Sequence, residues 1–366
     1  MPPYGRAEKT WAVADGSRLP GMKAIAVMTG GAPVAPNVQL IEIPLPEPGL
    51  GEVRVRTEAA GLNHLDLWVG QGIPGVERPW PRVTGCDGVG RIDAVGEGVG
   101  SDWVGKRVVM NAAVPVVEPD VPGGLPAGEV FHLVGEHTPG TMAEAFVAPA
   151  SNVLEIGDHH AADQAAAFGL THLTAWRMLV TRARVRPGEW VLIPGIGGGV
   201  ALAALGICRT LGCRTVVTSR HQWKLDRAIE LGADEALLDE GEDWSRGVRT
   251  ATGRRGVDVC VESVGKAIHA SCMRSMARGG RLVTCGATTG GDAATDLTRI
   301  FWNQLSILGS TMGSMTEFRE IVRLFELGRL DSVLDRVVNP SEAGSAWERL
   351  ESGAQFGNLV VDWRSH

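Results

Sequence analysis

The sequence lacks any apolar run approaching the ~20 residues that span a bilayer, and its beginning lacks the charged, apolar and small-residue order of a secretory signal. Basic residues are also few, with 35 lysines and arginines against 42 aspartates and glutamates, which gives a formal net charge of −7. A nucleic acid or an anionic membrane surface would need a basic face, so neither is an expected partner. We expect a cytoplasmic protein that acts on a small molecule.

Paired cysteines are absent as well. The six cysteines are scattered without C-x-x-C spacing, and four lie in segments typical of buried strands or helices. We therefore expect free, mostly structural thiols. The remaining composition, 44% hydrophobic and 21% charged over 366 residues, is that of a globular protein long enough for two domains.

Glycine, in contrast, is concentrated after one apolar segment. Trp190 to Ile193 predicts a strand, four glycines follow, and a helix of small residues begins at Val200. Glycine lets the backbone turn tightly and approach a pyrophosphate, and a helix N-terminus offers free N–H groups and a positive dipole end. A dinucleotide is the expected ligand, and its expected contacts are Gly195, Gly197, Gly198, Gly199 and Val200. Because Val200 occupies the third glycine position of G-x-G-x-x-G, a tight turn without a ligand is the alternative.

The next apolar segment predicts which dinucleotide binds. Arg214 to Ser219 is typical of a second strand, and the end of that strand contacts the adenosine ribose in dinucleotide folds. No carboxylate stands there; Ser219 and Arg220 do, with Lys224 one helical turn later. Two cations and a hydroxyl suit a 2′-phosphate, so the sequence predicts NADPH. The alternative is that both cations project into solvent.

The spacing of apolar residues differs from one part of the chain to the next. Residues 1–22 have no periodicity and are interpreted as a mobile tail. Short alternating apolar runs bounded by proline and glycine then predict a β-rich first domain with few helices before His160. Thereafter helices and strands alternate, which predicts an α/β fold with a parallel sheet. The predicted helices are 161–181, 200–211, 223–231, 267–277 and 316–327, and the later strands are 257–262, 281–285, 305–309 and a last one, 359–363, that returns to the first domain.

Five segments together resemble the medium-chain dehydrogenase/reductase superfamily, which holds zinc alcohol dehydrogenases and zinc-free quinone and enoyl reductases. They are A-A-G-L-N-H-L-D-L (59–67), G-C-D-G-V-G-R-I-D-A-V-G-E-G-V (85–99), G-T-M-A-E-A-F-V (140–147), L-T-A-W-R-M-L (173–179) and L-G-A-D-E (231–235). The resemblance implies a GroES-like β-barrel domain (23–176 and 314–366), a Rossmann doubly wound parallel sheet (177–313) and an active site in the cleft between them. It also implies a homodimer joined through the edge strand 305–309.

The same resemblance would place the ligands of a catalytic zinc at Asn63, Cys86, Asp87 and Leu170. Zinc takes thiolate, imidazole and carboxylate ligands, which Asn63 and Leu170 do not supply. The lobe that holds a structural zinc in such enzymes corresponds to residues 111–136, which contain no cysteine. We therefore expect no metal; the alternative is an improvised site built from Cys86, Asp87 and His64.

The proton donor stays open at this point. The relay hydroxyl of the alcohol dehydrogenases corresponds to Leu65, and the only tyrosine, Tyr4, lies in the tail. The usual phenol of the zinc-free reductases is therefore missing too. The remaining candidates are water and four side chains, His64, Asp66, Asp87 and His172.

Other roles follow from the resemblance and from side-chain chemistry. His64 matches a position that contacts the cofactor pyrophosphate, and Asp66 is favoured as a residue that shapes the cleft. His172 is as readily structural as catalytic, and Cys86 is a weak candidate nucleophile because no base stands near it. Asn63 is the favoured polar group, since its amide can donate a hydrogen bond to a substrate carbonyl or to the nicotinamide ribose.

Loops that follow successive strands of the parallel sheet are expected to line the nicotinamide, because ligands bind at the carboxyl ends of such strands. The further expected cofactor contacts are Thr174, Ser263, Gly286, Ala287, Thr288, Ser310, Thr311 and Asn358. The sequence thus predicts an NADPH-dependent, zinc-independent reductase that moves hydride to an activated C=C bond or a quinone. The alternatives are a carbonyl reductase or alcohol dehydrogenase with an atypical metal site, and an NADPH-binding protein without turnover.

Overall fold

The computed structural model describes residues 21–73, 79–115 and 131–364, and its first half is rich in strands. The elements are β1 (Gly21–Val27), β2 (Val38–Pro44), β3 (Glu52–Leu62), α1 (His64–Gln71), β4 (Arg82–Val83), β5 (Asp87–Val95), β6 (Arg107–Met110), β7 (Ala113–Pro115), β8 (Phe131–Leu133), β9 (Ala145–Pro149), β10 (Val153–Glu155), α2 (Ala162–Ala166) and α3 (Gly169–Trp176). β3 pairs antiparallel with β5 and β9, and β6 and β10 extend the sheet. Val53 and Val55 of β3 are fully buried, whereas Arg54 and Arg56 both donate to Asp93 at 2.8 Å.

The second half alternates strands and helices. Its elements are β11 (Trp190–Ile193), α4 (Gly199–Thr210), β12 (Arg214–Ser219), α5 (Gln222–Glu230), β13 (Glu235–Leu238), α6 (Ser245–Ala251), β14 (Val257–Glu262), α7 (His269–Ser275), β15 (Met276–Thr284), α8 (Leu297–Asn303) and β16 (Ser306–Gly309). The six strands are parallel, in the order β13-β12-β11-β14-β15-β16. The strand order therefore reverses direction beside β11, which is where doubly wound sheets bind ligands. The predicted α/β fold and the edge position of residues 305–309 are confirmed.

The end of the chain returns to the first sheet. After α9 (Met315–Glu326) come β17 (Leu334–Val338), α10 (Ala343–Glu351) and β18 (Asn358–Asp362). β18 pairs antiparallel with β3, with Leu359 opposite Leu62, so the predicted return of the last strand is confirmed. The domain boundaries at 176 and 314 stay predictions.

One hydrophobic core joins the two halves. Ala59 and Val89 from the first sheet belong to the same buried cluster as Val191 and Ile193 of β11. Helices α3 and α9 lie between them, and Phe318 of α9 is fully buried in this cluster. The two halves are therefore packed against each other through buried apolar side chains. No helix within the described ranges is long and apolar enough to cross a membrane.

Several predicted boundaries were wrong. The single helix predicted over 161–181 is divided into α2, α3 and a π-helical turn over Arg177–Arg182, because the chain bends at Ala167 and Phe168 to bury both. Residues 276–277 begin β15 instead of ending a helix, since Met276 pairs with Val257 across a bulge. The sequence analysis also missed several elements, among them α1, β13, α6, α8, β17 and α10. These are short, and contacts with distant segments stabilise them.

The N-terminal strand corrects the tail boundary. β1 begins at Gly21, which pairs with Pro44, so residues 21 and 22 are not part of a tail. Residues 1–20, which include Tyr4, lie outside the described residues, and so do residues 116–130 of the cysteine-free lobe.

Candidate active site

The glycine turn after β11 has the backbone geometry that its sequence requires. Gly195 and Gly197 have φ of 68° and 122°, values that residues with a side chain rarely adopt. Gly198 precedes α4, and a β-carbon there would meet nothing within 4 Å. Val200 is the second residue of α4, so the third glycine of the motif is not needed for the turn. The first N–H groups of a twelve-residue helix thus begin beside an open face, which suits a pyrophosphate.

A segment from the end of the chain lies against this turn. Gly357 N–H donates to the Gly197 carbonyl at 2.9 Å, and the Asn358 side-chain amide donates to the Ala167 carbonyl at 2.9 Å. A β-carbon at Gly199 would collide with Asn358 Oδ1 and with Thr171 of α3. Gly199 is therefore required for close packing, and Asn358 lies at the start of α4 as expected of a cofactor contact. Thr174, one helical turn beyond Thr171, is buried.

The two cations expected near the adenosine ribose, Arg220 and Lys224, have different surroundings after β12. Ser219 is buried, and its Oγ accepts from His221 N–H at 3.2 Å, while Arg220 is exposed. Lys224 is 7% exposed and donates from Nζ to the Gly353 carbonyl at 2.7 Å, and a β-carbon at Gly197 would lie 2.9 Å from its Cδ. Burial lowers the pKa of Lys224, with the charge of Asp335 acting in the opposite direction. Lys224 therefore does not project into solvent; it connects the glycine turn to the last segment of the chain.

A cluster of buried polar groups lies on the other side of the cleft, at the start of α1. The Asn63 amide donates to Asp87 Oδ2 at 2.8 Å, and Leu170 N–H donates to Asp87 Oδ1 at 2.7 Å. A β-carbon at Gly169 would lie 2.5 Å from Asp87 Oδ1, so the glycine lets α3 begin against this carboxyl group. We call Asn63, Asp87 and Leu170 the amide cluster. These are three of the four positions at which the resemblance placed zinc ligands.

The amide cluster does not fit a zinc ion. Two of its three members present N–H groups toward Asp87, so they act there as donors and offer no lone pair to an ion. The fourth position, Cys86, is 1% exposed, and burial raises the pKa of its thiol well above the usual value. A neutral thiol is a poor nucleophile. Cys86, Asp87 and His64 do not form a group close enough to share an ion in the described part of the chain.

Asp66 and Asp87 are both fully buried. Burial raises the pKa of Asp66 to about 6, although Asn63 N–H (2.7 Å) and Gly85 N–H (2.6 Å) donate to its two oxygens and lower it. Burial raises the pKa of Asp87 to about 7, with the charge of Asp66 adding to the rise. Asp66 thus fixes the backbone at the start of α1, as its predicted cleft-shaping role requires.

The two histidines differ in their surroundings. His64 is the first residue of α1 and half-buried, and burial lowers its pKa, so its imidazole is neutral at pH 7. His172 is buried in α3, stacks on Phe168 at 4.3 Å, and is within 3.0 Å of the Phe168 carbonyl through Nδ1. Burial lowers the pKa of His172 to about 4. This environment favours the structural alternative for His172.

The loops after β14, β15 and β16 form the wall opposite α1. Thr288 Oγ1 donates to the Ser263 carbonyl at 3.3 Å, which joins two of these loops, and Ala287 lies beside Thr288. Ser310 N–H donates to Thr284 at 2.9 Å, but its buried hydroxyl has no hydrogen-bond partner in the described structure. A ligand group is the expected partner for such a hydroxyl. The neighbouring Thr311 is exposed.

Trp68 is a site residue that the sequence analysis missed. It lies one turn into α1, is 36% exposed, and a β-carbon at Gly286 would lie 3.5 Å from its indole ring. The ring therefore reaches across the cleft to the loop expected to hold the nicotinamide. An exposed tryptophan four residues after His64 was the available signal, but without α1 it could not be assigned to the cleft.

Comparisons with known proteins agree with this geometry. Residues 49–158 match the family model described as alcohol dehydrogenase GroES-like domain, and residues 199–326 match the one described as zinc-binding dehydrogenase. A solved NAD-dependent alcohol dehydrogenase is 36% identical, with a TM-score of 0.85 over 93% of this chain and 99% of its own. A zinc-type alcohol dehydrogenase-like protein of Leptosphaeria maculans is 28% identical over 91% of this chain and 96% of its own length. A quinone oxidoreductase of Rattus norvegicus is 27% identical over 95% and 99%, respectively.

Proposed function

Because the chain belongs to the medium-chain dehydrogenase/reductase superfamily, we propose that it is an NADPH-dependent, zinc-independent oxidoreductase that reduces an activated C=C bond or a quinone. The observation that carries the proposal is the amide cluster. Where a metal would polarise a carbonyl oxygen, Asp87 holds the Asn63 amide by one N–H and leaves the second N–H for another acceptor.

In this proposal the chain's own residues bind and orient the cofactor and polarise the substrate. A bound nicotinamide supplies a hydride at C4. The glycine turn and the start of α4 would hold its pyrophosphate, a role that the family resemblance also implies for His64, and the Ser310 hydroxyl is free to bond to the nicotinamide end. Asn63 donates to the acceptor oxygen, on which negative charge develops during hydride transfer. Trp68 narrows the mouth of the cleft and limits the entry of water.

The geometry favours water as the proton source. Both oxygens of Asp66 and of Asp87 already accept hydrogen bonds, and His172 is packed in the core. His64 is neutral and is assigned to the cofactor. Hydride transfer to an enone or a quinone leaves a delocalised enolate or hydroquinone anion, which then takes its proton from water without a positioned acid. Hydride transfer to a simple ketone leaves a localised alkoxide, which needs a metal or an acid to stabilise it as it forms. This difference supports an activated C=C bond or a quinone over a simple ketone.

The proposed preference for NADPH depends mainly on Arg220. It is exposed at the end of β12, where no carboxylate stands to accept bonds from the ribose of NADH. A planar guanidinium suits the 2′-phosphate. The buried Lys224 adds a positive charge below the glycine turn, where it serves the pyrophosphate of either dinucleotide.

A substrate panel tests the proposal. Purified protein is mixed with NADPH or NADH and with quinones, enones, enoyl thioesters, ketones and aldehydes, and cofactor oxidation is followed at 340 nm. We expect NADPH oxidation with at least one quinone, enone or enoyl thioester. Oxidation only with aldehydes or ketones, and only after zinc is added, would make the second candidate the better one. No oxidation with any acceptor, while NADPH still binds, would favour a binding protein.

The second candidate is an alcohol dehydrogenase or carbonyl reductase. It is favoured by the solved structure at 36% identity, whose name states an NAD-dependent alcohol dehydrogenase. The panel separates it from the first because its expected pair is NADH with an aldehyde.

We also propose a homodimer. The edge strand β16 exposes Ile307, and the preceding α8 exposes Leu297 (72%), Phe301 (66%) and Trp302 (69%). An unpaired parallel edge beside three exposed apolar side chains is a surface that a second copy would cover. Light scattering at micromolar concentration should give twice the chain mass, and Trp302→Asp should give monomers. A monomeric wild type would exclude this proposal.

A further inference from the structure

Three side chains of the types that bind metals meet outside the residues assigned to the cleft. A ring nitrogen from each of His159 and His160 and a carboxylate oxygen of Glu326 all lie within 4.8 Å of one another. The two histidines lie in the loop between β10 and α2, and Glu326 is the last residue of α9. We call these three residues the His-His-Glu cluster.

The contact between His160 and Glu326 is not a hydrogen bond. His160 Nε2 lies 3.1 Å from Glu326 Oε1, yet this buried nitrogen has no hydrogen-bond partner in the described structure. The two atoms are therefore close without the alignment that a donor and an acceptor need. A nitrogen and an oxygen 3.1 Å apart are at the separation expected of two ligands of one metal ion.

The surroundings hold His160 and Glu326 in place. The His160 ring lies between the rings of His159 (3.9 Å between centroids) and Phe325 (4.4 Å). The backbone carbonyl of His160 accepts from Arg107 Nη1 at 3.0 Å, and Gly157 N–H donates to Glu326 Oε1 at 3.0 Å. Such outer contacts orient metal ligands in proteins. His159 is exposed, so its ring can rotate to close the site.

We propose that the His-His-Glu cluster binds one first-row divalent transition metal ion, of which Zn²⁺ is the representative. Two imidazole nitrogens and one carboxylate oxygen are a ligand set that Zn²⁺ accepts, with water in the remaining position. Mg²⁺ and Ca²⁺ prefer oxygen ligands and are not expected to bind. For bonds of about 2.0–2.1 Å, tetrahedral ligands stand about 3.3 Å apart, so His159 must move inward on binding.

The ion would join the loop after β10 to the end of α9. It would bind more tightly to the folded chain than to the unfolded one, since Glu326 is distant in sequence from the adjacent His159 and His160, and would therefore stabilise the fold. The site is separate from the amide cluster and has no part in the proposed hydride transfer.

Zinc chloride added to the chelator-treated full chain tests the proposal. Isothermal titration calorimetry should give one ion per chain, and at a hundredfold excess over Kd the melting temperature should rise by roughly 3–6 °C. Magnesium chloride at the same concentrations should produce no shift. Cobalt chloride should produce a visible absorption band that zinc abolishes.

Matched variants locate the ion. His159→Ala and Glu326→Gln should each weaken zinc binding by roughly tenfold or more; the glutamine keeps an acceptor for Gly157 N–H. Asp158→Asn and His221→Ala remove an exposed carboxylate and an exposed imidazole outside the cluster and should bind zinc as the wild type does. The proposal is overturned if the wild type binds no zinc at micromolar concentration, or if His159→Ala and Glu326→Gln bind it unchanged.

Discussion

The two sides of the cleft are built in different ways. The glycine turn is one continuous stretch, Gly195 to Gly199, that offers backbone N–H groups and, at Gly198, open space. The amide cluster brings together side chains and backbone from three separate elements, and both oxygens of its carboxyl group are occupied. The first is a site made by local conformation and the second a site made by long-range packing. Substitutions in the glycine turn region are therefore expected to change cofactor affinity, whereas substitutions in the amide cluster are expected to change kcat.

Removing the amide should have the largest effect. In Asn63→Ala the acceptor oxygen loses its donor, so we expect kcat to fall by roughly 10²–10³-fold while the Kd for NADPH changes little. Asp87→Asn should cost less, because it keeps the Asn63 side chain but leaves one acceptor where there were two. Steady-state kinetics and fluorescence titration separate the two quantities. Unchanged kcat in Asn63→Ala would remove the amide cluster from the mechanism.

Changes on the cofactor side should alter affinity and leave kcat intact. Arg220→Ala should weaken NADPH binding by roughly ten- to a hundredfold and leave NADH binding unchanged, since in the proposed assignment only the 2′-phosphate would contact the guanidinium. Arg319→Ala, an exposed arginine on α9, is the control. Equal losses for the two cofactors in Arg220→Ala would contradict this assignment.

A substitution of Lys224 tests whether this cation affects the binding of NADPH alone or of both cofactors. Its buried ammonium group bonds to Gly353 and lies beside Gly197, so Lys224→Ala should weaken NADPH and NADH binding alike and lower the melting temperature. The sequence alone predicted a selective loss of NADPH affinity. Titration of both cofactors against this variant decides between the two expectations.

The buried carboxyl group of Asp87 predicts a smaller, pH-dependent effect. Its pKa of about 7 in the folded chain is above the ordinary value of 3.8, so the folded state binds the proton more tightly than the unfolded state. The stability that this group contributes is therefore present below about pH 4 and is lost as the pH rises toward about 7. Asp87→Asn has no titratable group at this position, so its stability does not fall in this way as the pH rises. The melting temperature of the variant relative to the wild type should thus rise between pH 5 and pH 8; a constant or falling difference would contradict the raised pKa.

Deleting the N-terminal tail should have no effect. Residues 1–20 have no pattern with which to bury apolar surface, so their removal should leave the melting temperature and NADPH affinity unchanged. The deletion must stop before Gly21, which pairs with Pro44 in β1. A large fall in either quantity would show that the tail contains an ordered element.

The sequence could predict the glycine turn, which depends on local conformation, better than the amide cluster, which depends on long-range packing. Gly195, Gly197, the strand before them and the helix after them were predictable because glycine conformation and the spacing of apolar residues are local signals. The contact of Leu170 N–H with Asp87, and the reach of Trp68 to Gly286, join elements distant in sequence, so no local pattern contains them. The same holds for Lys224, which the helical spacing placed near the phosphate but whose burial depends on the last segment of the chain.

The central claim is that the amide cluster, and not a metal ion, polarises the substrate. The most direct measurement is NADPH-dependent turnover of chelator-dialysed protein, with its zinc content determined by elemental analysis. The His159→Ala variant is the appropriate chain, since zinc at the His-His-Glu cluster would otherwise be counted. We predict full turnover with well below one zinc per chain. Turnover that is abolished by the chelator and restored by stoichiometric zinc would contradict the account.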